Sequence, residues 1–208
     1  VLTAGVLAGC GPADWTTPRT GPTASGTLDA DFVPTPTPSP EATFAPPTGS
    51  WDEVVPTRGY RVALLTYGDD EPTAAVVTAV EAWAKAVHAD LRVVRAQSPA
   101  DLVPAIVRAM DLRPEVVISA GNALVDPLAV VSANHLDQQF LVVGAELAEP
   151  THNVTAVDWD GASFRGEGLG AASTYDPASF TPERCGAAVR LGVAAVLSGV
   201  TGYVLWVD

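Results

Sequence analysis

The chain reads as an α/β protein: a doubly wound, Rossmann-like, mostly parallel sheet of five to six strands flanked by helices. Three observations predict this. Val116-Val117-Ile118 and Phe140-Leu141-Val142-Val143 are apolar, β-branched runs separated by a helical segment of crossover length, so residues 113–146 form one βαβ unit. The runs are apolar at successive positions rather than alternating, as in strands covered by helices on both faces. Further strand and helix patterns alternate before and after this unit, which defines a doubly wound sheet built from crossover connections.

The elements follow in order from residue 58. Arg61-Val62-Ala63-Leu64-Leu65-Thr66 is a buried-strand pattern, and Tyr67-Gly68-Asp69-Asp70 turns it into a helix that Asp70 caps. Val76, Val80, Trp83 and Val87 give that helix its apolar stripe. A second strand covers residues 91–96. Ser98-Pro99-Ala100-Asp101 then opens a helix with an apolar face of Leu102, Ile106 and Met110, and Pro104 is expected to shorten or kink it. After the central unit come a short strand at 154–157, a glycine-rich helix at 161–172, a helix at 182–197 capped by Thr181, and a last strand at 203–207. Residues 191–207 are apolar, but Gly199, Thr201 and Gly202 interrupt them and the run falls short of a membrane span. Cys185 reads as a buried small hydrophobe.

Composition narrows the partners. The 208 residues are 48% hydrophobic, enough for one good core. Asp and Glu outnumber Lys and Arg by 24 to 11, for a net charge of -13, which disfavours nucleic acid and anionic membrane as partners because both would be repelled.

The first ten residues, Val1 to Cys10, are a short apolar run ending in small residues and a cysteine, too short to span a bilayer. Leu7-Ala8-Gly9-Cys10 resembles the lipobox of bacterial lipoproteins. That resemblance implies that residues 1–10 are the remnant of a signal peptide and that Cys10 is acylated, palmitate-type chains anchoring an extracytoplasmic protein to the cell membrane. Residues 11–57 contain ten prolines and read as an extended, disordered linker. At roughly 3.1 Å per residue it would hold the domain of residues 58–208 on the order of 100 Å from the lipid. Of its aromatics, Trp15, Phe32, Phe44 and Trp51, only Trp51 is expected to pack on the domain.

Ligands of doubly wound sheets sit beyond the carboxyl ends of the strands, which directs attention to residues 119–122 and 144–146. The order "PEVVISAG", a helix, "QQFLVVGAE" and "HNVTAVDWDGASFRGEGLGA" resembles the first lobe of the basic membrane protein family of substrate-binding lipoproteins. The resemblance covers about residues 60–172. It implies a single lobe of a type I periplasmic-binding-protein fold, a small polar solute such as a nucleoside as ligand, and an ABC transporter as partner. Two departures stand out. There is room here for one lobe only, so a homodimer or a second-lobe partner would have to supply the missing wall. Tyr67 to Pro72 replaces the family's ligand-gripping first loop, and Asn122 follows Gly121 where the family has an aromatic residue. By this reading Tyr67 stacks the ligand, Gly121 lets it approach, and Asp69, Asp70, Asn122, Glu146 and Asp158 accept its hydrogen bonds. The competing structural roles are Asp70, Asn122 and Asp126 as helix caps and Glu146 as a solvated charge.

Catalytic patterns are not found. The chain has no G-x-S-x-G, G-x-x-x-x-G-K, H-E-x-x-H or G-x-G-x-x-G after its first strand, and Ser119-Ala120-Gly121 stands where a receiver domain needs its phosphorylated Asp. His88, His135 and His152 fall on separate elements without ligand spacing, so no metal, cofactor or enzyme activity is expected. Two functions fit: a membrane-anchored solute-binding-like lipoprotein, and a cell-envelope interaction or structural module with a vestigial ligand site.

Overall fold

Apolar β-branched runs cannot leave their side chains in water cheaply, nor bury their backbone groups unpaired, and here they pair into one sheet. In the computed structural model the described residues are 15–21, 23–145, 147, 150–162 and 175–208. Cys10, Glu146 and most of the glycine-rich stretch at 161–172 lie outside them. The elements are β1 (Ala24–Ser25), β2 (Thr43–Phe44), β3 (Val55–Pro56), β4 (Arg61–Thr66), α1 (Glu71–Ala86), β5 (Asp90–Arg95), α2 (Leu102–Asp111), β6 (Val116–Ala120), α3 (Val125–Ser132), β7 (Phe140–Val143), β8 (Val154–Asp158), α4 (Pro182–Leu197) and β9 (Val204–Trp206).

Among the described residues the main sheet has seven strands in the order β5-β4-β6-β7-β8-β9-β2. Every pairing in it is parallel. Val62 lies opposite Val116 and Ser119 opposite Val142, so the central strands are adjacent and co-directional as expected. The successive apolar positions divide between two cores. Val62, Leu64, Ile118, Leu141, Val157 and Leu205 face α1 and α4. Ala63, Leu65, Val117, Phe140, Val142 and Ala156 face α2 and α3. A strand with period-two side chains and a helix layer on each face has no polar side to show.

The helices begin where side chains satisfy their free N–H groups. Asp70 and Thr181 accept from the backbone N–H of Thr73 and Arg184 at 2.9 and 3.2 Å. Ser98 makes no side-chain cap; Pro99–Asp101 is a 3-10 turn and α2 starts after it, which places Pro104 in the first helical turn, where its missing donor is harmless. Arg108 donates two hydrogen bonds to Asp101, and these, with the Gln97 N–H, hold its carboxyl down to about 2. Buried Cys185 has its thiol pushed up to about 11 by desolvation. No helix among the described residues is long and apolar enough to cross a membrane.

One connection departs from the expected handedness. The crossovers through α1, α2 and α3 share one hand: α1 covers one face while the chain moves toward β5, and α2 and α3 cover the other while it moves toward β7. From β8 to β9 the chain moves as it does through α3, yet α4 packs on the α1 face, so this connection has the opposite hand. It is an exception to the hand rule, and it places α4 against β7 and β8 on the α1 face.

The proline-rich segment also differs from expectation. Rather than a free extended linker, residues 15–57 lie on the domain, and Trp15, Phe32, Phe44 and Trp51 are all buried. β2 adds to the sheet edge beside β9, and β1 pairs antiparallel with β3. The Phe44 ring meets Phe32 and Tyr203 edge-on at 6.4 and 5.4 Å, and Trp15 Nε1 donates to Asp90 at 2.7 Å. Prolines are tolerated because β2 is a two-residue edge strand with few donors to lose. Four aromatic anchors outweigh the disorder that the composition favours. Phe44→Ala should lower unfolding free energy by about 3 kcal/mol in urea denaturation. An unchanged midpoint would mean that the segment does not support the fold.

Candidate functional site at the strand-order reversal

Strand order reverses between β4 and β6. The chain leaves β4 toward α1 and leaves β6 toward α3 on the opposite face, so the two exit loops diverge and leave a crevice at the carboxyl ends. Gly121 makes the closest approach between them. At φ +120° it occupies backbone space that disfavours side chains, and a Cβ there would lie 2.6 Å from the Tyr67 carbonyl oxygen. Arg95 holds the first loop by donating to the Gly68 carbonyl at 3.2 Å.

Asp70, Thr73 and Val76 of the α1 start form one wall of the crevice, and Gly121, Asn122, Val143 and Gly144 form the floor and far side. Tyr175 and Phe180, which sequence reasoning did not single out, close it from above. They belong to a strap tied at several points. Asp176 N–H donates to the Gly161 carbonyl at 2.8 Å, and the Ala178 N–H donates to the Asp176 carboxylate at 3.0 Å. Trp159 Nε1 donates to Ser179 Oγ at 3.0 Å, and the Trp159 and Phe180 rings pack edge-on at 4.9 Å. Phe180 rests on Gly144, whose φ is +76° and whose Cβ would meet the Phe180 ring at 2.5 Å. The only signal in the sequence was the aromatic spacing in Tyr175-Asp176-Pro177-Ala178-Ser179-Phe180, and nothing local tells which surface those rings meet.

The expected ligand residues separate. Asp70, Gly121 and Asn122 come together at the crevice. Both Asp70 carboxylate oxygens are engaged, one by the Thr73 N–H and one by the Thr73 hydroxyl, each at 2.9 Å, so its capping role is realised. Tyr67 packs instead on the α2–α3 core, Asp69 is exposed, and Asp158 is buried at the end of β8, two strands from the reversal. Tyr175 is half-exposed, and burial, followed by the Asp70 carboxylate, raises the pKa of its hydroxyl.

The crevice holds about 20 Å³, room for roughly one water. It combines an amide, a carboxylate and a phenol with an apolar floor, a lining suited to hydrogen bonding and stacking. Among the described residues no group of three or more His, Cys, Asp or Glu side chains could hold a metal ion.

No protein-family model and no curated protein matches the chain. Solved structures do. A solute-binding protein of an ABC transporter system from Aeropyrum pernix K1 aligns over 49% of this chain and 29% of its own, at 16% identity and TM-score 0.44. A fragment from Peptoclostridium difficile 630 named as a lipoprotein aligns over 65% and 96%, at 14% identity and TM-score 0.47. An ABC transporter solute-binding protein from Bradyrhizobium sp. BTAi1 aligns over 92% and 61%, at 13% identity and TM-score 0.35. This chain therefore spans less than two thirds of the Aeropyrum and Bradyrhizobium proteins. At such scores and identities the likeness carries no argument about ligand or partner. The class that the strand order and crevice define is a doubly wound α/β fold of single-lobe size.

Gly144→Ala tests the packing of the strap, since both its φ and the Phe180 ring oppose a Cβ. It should lower unfolding free energy by about 2 kcal/mol in chemical denaturation.

Proposed function

We propose that this chain is a non-catalytic recognition protein of the cell envelope, a reduced relative of the basic membrane protein family, with its solute site at the reversal between β4 and β6. The observation that carries this reading is the crevice itself, where Asp70, Asn122 and Tyr175 converge over Val76, Val143 and Phe180. A small polar solute with a planar face, of the nucleoside class, suits that lining, with Tyr175 rather than Tyr67 positioned to stack it. Small-molecule sites usually offer roughly 300–1,000 Å³. A crevice of about 20 Å³ therefore admits such a solute only when the Tyr175 to Phe180 strap swings off Gly144. Asp69 and Asp158 stand at or near the same end of the sheet as further acceptors, and Glu146, which follows β7 in the sequence, is proposed as another. An ABC transporter, a second-lobe partner or a homodimer would supply the outer wall.

The same small volume favours a second reading, an interaction or structural module whose ligand site is vestigial. Thermal-shift screening with nucleosides, sugars and amino acids separates the two. Saturation at a hundredfold excess over Kd stabilises by about 2.7 kcal/mol. One solute class should raise the Tm of the wild type, and Asn122→Ala should lose the rise. No shift with any solute, in the wild type or in Phe180→Ala, would leave the interaction module standing.

Lipid attachment at Cys10 belongs to the same proposal. With the chain packed from Trp15 onward, five residue steps separate the sulfur from the folded body, at most about 18 Å when fully extended. The domain would then sit close to its membrane rather than on a long leash. Mass spectrometry of the amino-terminal peptide should show an acylated Cys10 in the membrane fraction, and Cys10→Ala should move the protein to the soluble fraction. Unmodified thiol in membrane-recovered protein would rule the anchor out.

A further inference from the structure

At the opposite end of the sheet, four of the chain's eleven Lys and Arg residues gather around Trp15, although the net charge is -13. Arg92 lies over the Trp15 ring at 4.1 Å and Arg61 at 6.0 Å, while Trp15 Nε1 donates to Asp90 at 2.7 Å. Beside this stack opens a cleft of about 280 Å³ lined by Trp15, Arg19, Arg61, Arg113 and Glu115, among others. Three guanidinium groups thus meet one carboxylate. Glu115 is occupied: its Oε2 accepts from Arg19 at 2.7 Å and from the Arg61 N–H at 2.9 Å. Arg19 also donates to Thr57 Oγ1, and Arg61 to the Trp15 carbonyl at 3.2 Å, so both side chains are held in place before any ligand arrives. Arg113 is exposed, and its guanidinium has no hydrogen-bonding or ion-pair partner among the described residues. Its backbone is committed, with the N–H on the Met110 carbonyl at 2.8 Å just past the end of α2.

We propose that this cleft is a binding site for a phosphate group, carried either by a free phosphate or by an anionic lipid headgroup. Guanidinium forks match the oxygen geometry of phosphate and keep their charge at any physiological pH. The cleft is larger than one phosphate, leaving room for the group to which it is esterified. The background charge of the chain repels anions elsewhere on the surface, so saturable binding must be local. This site lies at the amino ends of β4 and β6 and stands independently of the solute reading for their carboxyl ends. The lipid source is included because Trp15, one wall of the cleft, is five residues from Cys10.

Arg113 offers a test that separates binding from folding. Its φ is +56°, at the position after a helix end where glycine is favoured, so Arg113→Gly relieves backbone strain while removing the charge. The full 208-residue chain is titrated with inorganic phosphate by calorimetry at low ionic strength, and sedimented with vesicles of phosphatidylglycerol or of phosphatidylcholine. The expected result is saturable binding to phosphate, to phosphatidylglycerol vesicles or to both, but not to phosphatidylcholine. Arg113→Gly should weaken it about tenfold or more without lowering Tm. Arg61→Gln should weaken it similarly. Binding of phosphate alone assigns a free phosphate, and binding of phosphatidylglycerol alone assigns a headgroup. The proposal is overturned if the wild type binds neither, or if Arg113→Gly binds as the wild type does.

Discussion

Both faces of one parallel sheet must be covered, and the rest of the structure depends on meeting that demand. Each interior strand sends alternate side chains into two separate cores, so leaving either face bare would expose a continuous apolar layer. A fully buried Val, Leu or Phe side chain contributes roughly 1.5–3 kcal/mol. α4 adds its apolar residues to the α1 face, where it packs against β7 and β8. Two helices then cover each side of the sheet, α1 and α4 on one face and α2 and α3 on the other.

The sheet edge poses a second demand. β9 would present unpaired backbone groups and the ring of Tyr203, and the proline-rich segment answers both by laying β2 and Phe44 along it. Prolines lower the entropy of the unfolded chain, so fixing this segment costs less than its lack of regular structure suggests. Trp15 extends the contact to the far edge, where its indole meets Asp90 and Arg92 of β5 and Arg61 of β4. The described part of the segment therefore lies against the domain from Trp15 to Trp51 rather than extending away from it.

The two ends of the parallel strands are built differently. The carboxyl ends carry the crevice, its lining assembled from α1, two strand tips and a strap that begins at Tyr175, well beyond them in the chain. Asn153 shows how firmly the opposite end is tied. Fully buried, it donates from Nδ2 to the carbonyls of Ser132, His135 and Gln138 at 3.0 to 3.2 Å, and its Oδ1 accepts from Thr151. The strap is tied to the body by the Trp159–Ser179 hydrogen bond, by the Asp176 N–H on the Gly161 carbonyl, by Arg184 on the Ser179 carbonyl and by the Phe180 ring against Trp159.

By itself the sequence determined the described strands and helices from β4 onward, because uninterrupted runs such as Val116-Val117-Ile118 and caps such as Asp70 and Thr181 act through neighbours in the chain. It also determined half of the crevice: Asp70, Gly121 and Asn122 stand at strand ends, where the strand-order rule directs attention. The tertiary structure alone decided the other half. Tyr175 and Phe180 reach the crevice from a distant segment, and Tyr67 turns to the α2–α3 core because that face had an apolar vacancy to fill. It alone decided the fate of residues 15–57, since composition weighs proline's missing donors but cannot see the surface that buries Trp15, Phe32 and Phe44. The arginines follow the same logic: positions 19, 61, 92 and 113 are unremarkable in sequence and become one patch only when the amino ends of neighbouring strands are brought side by side.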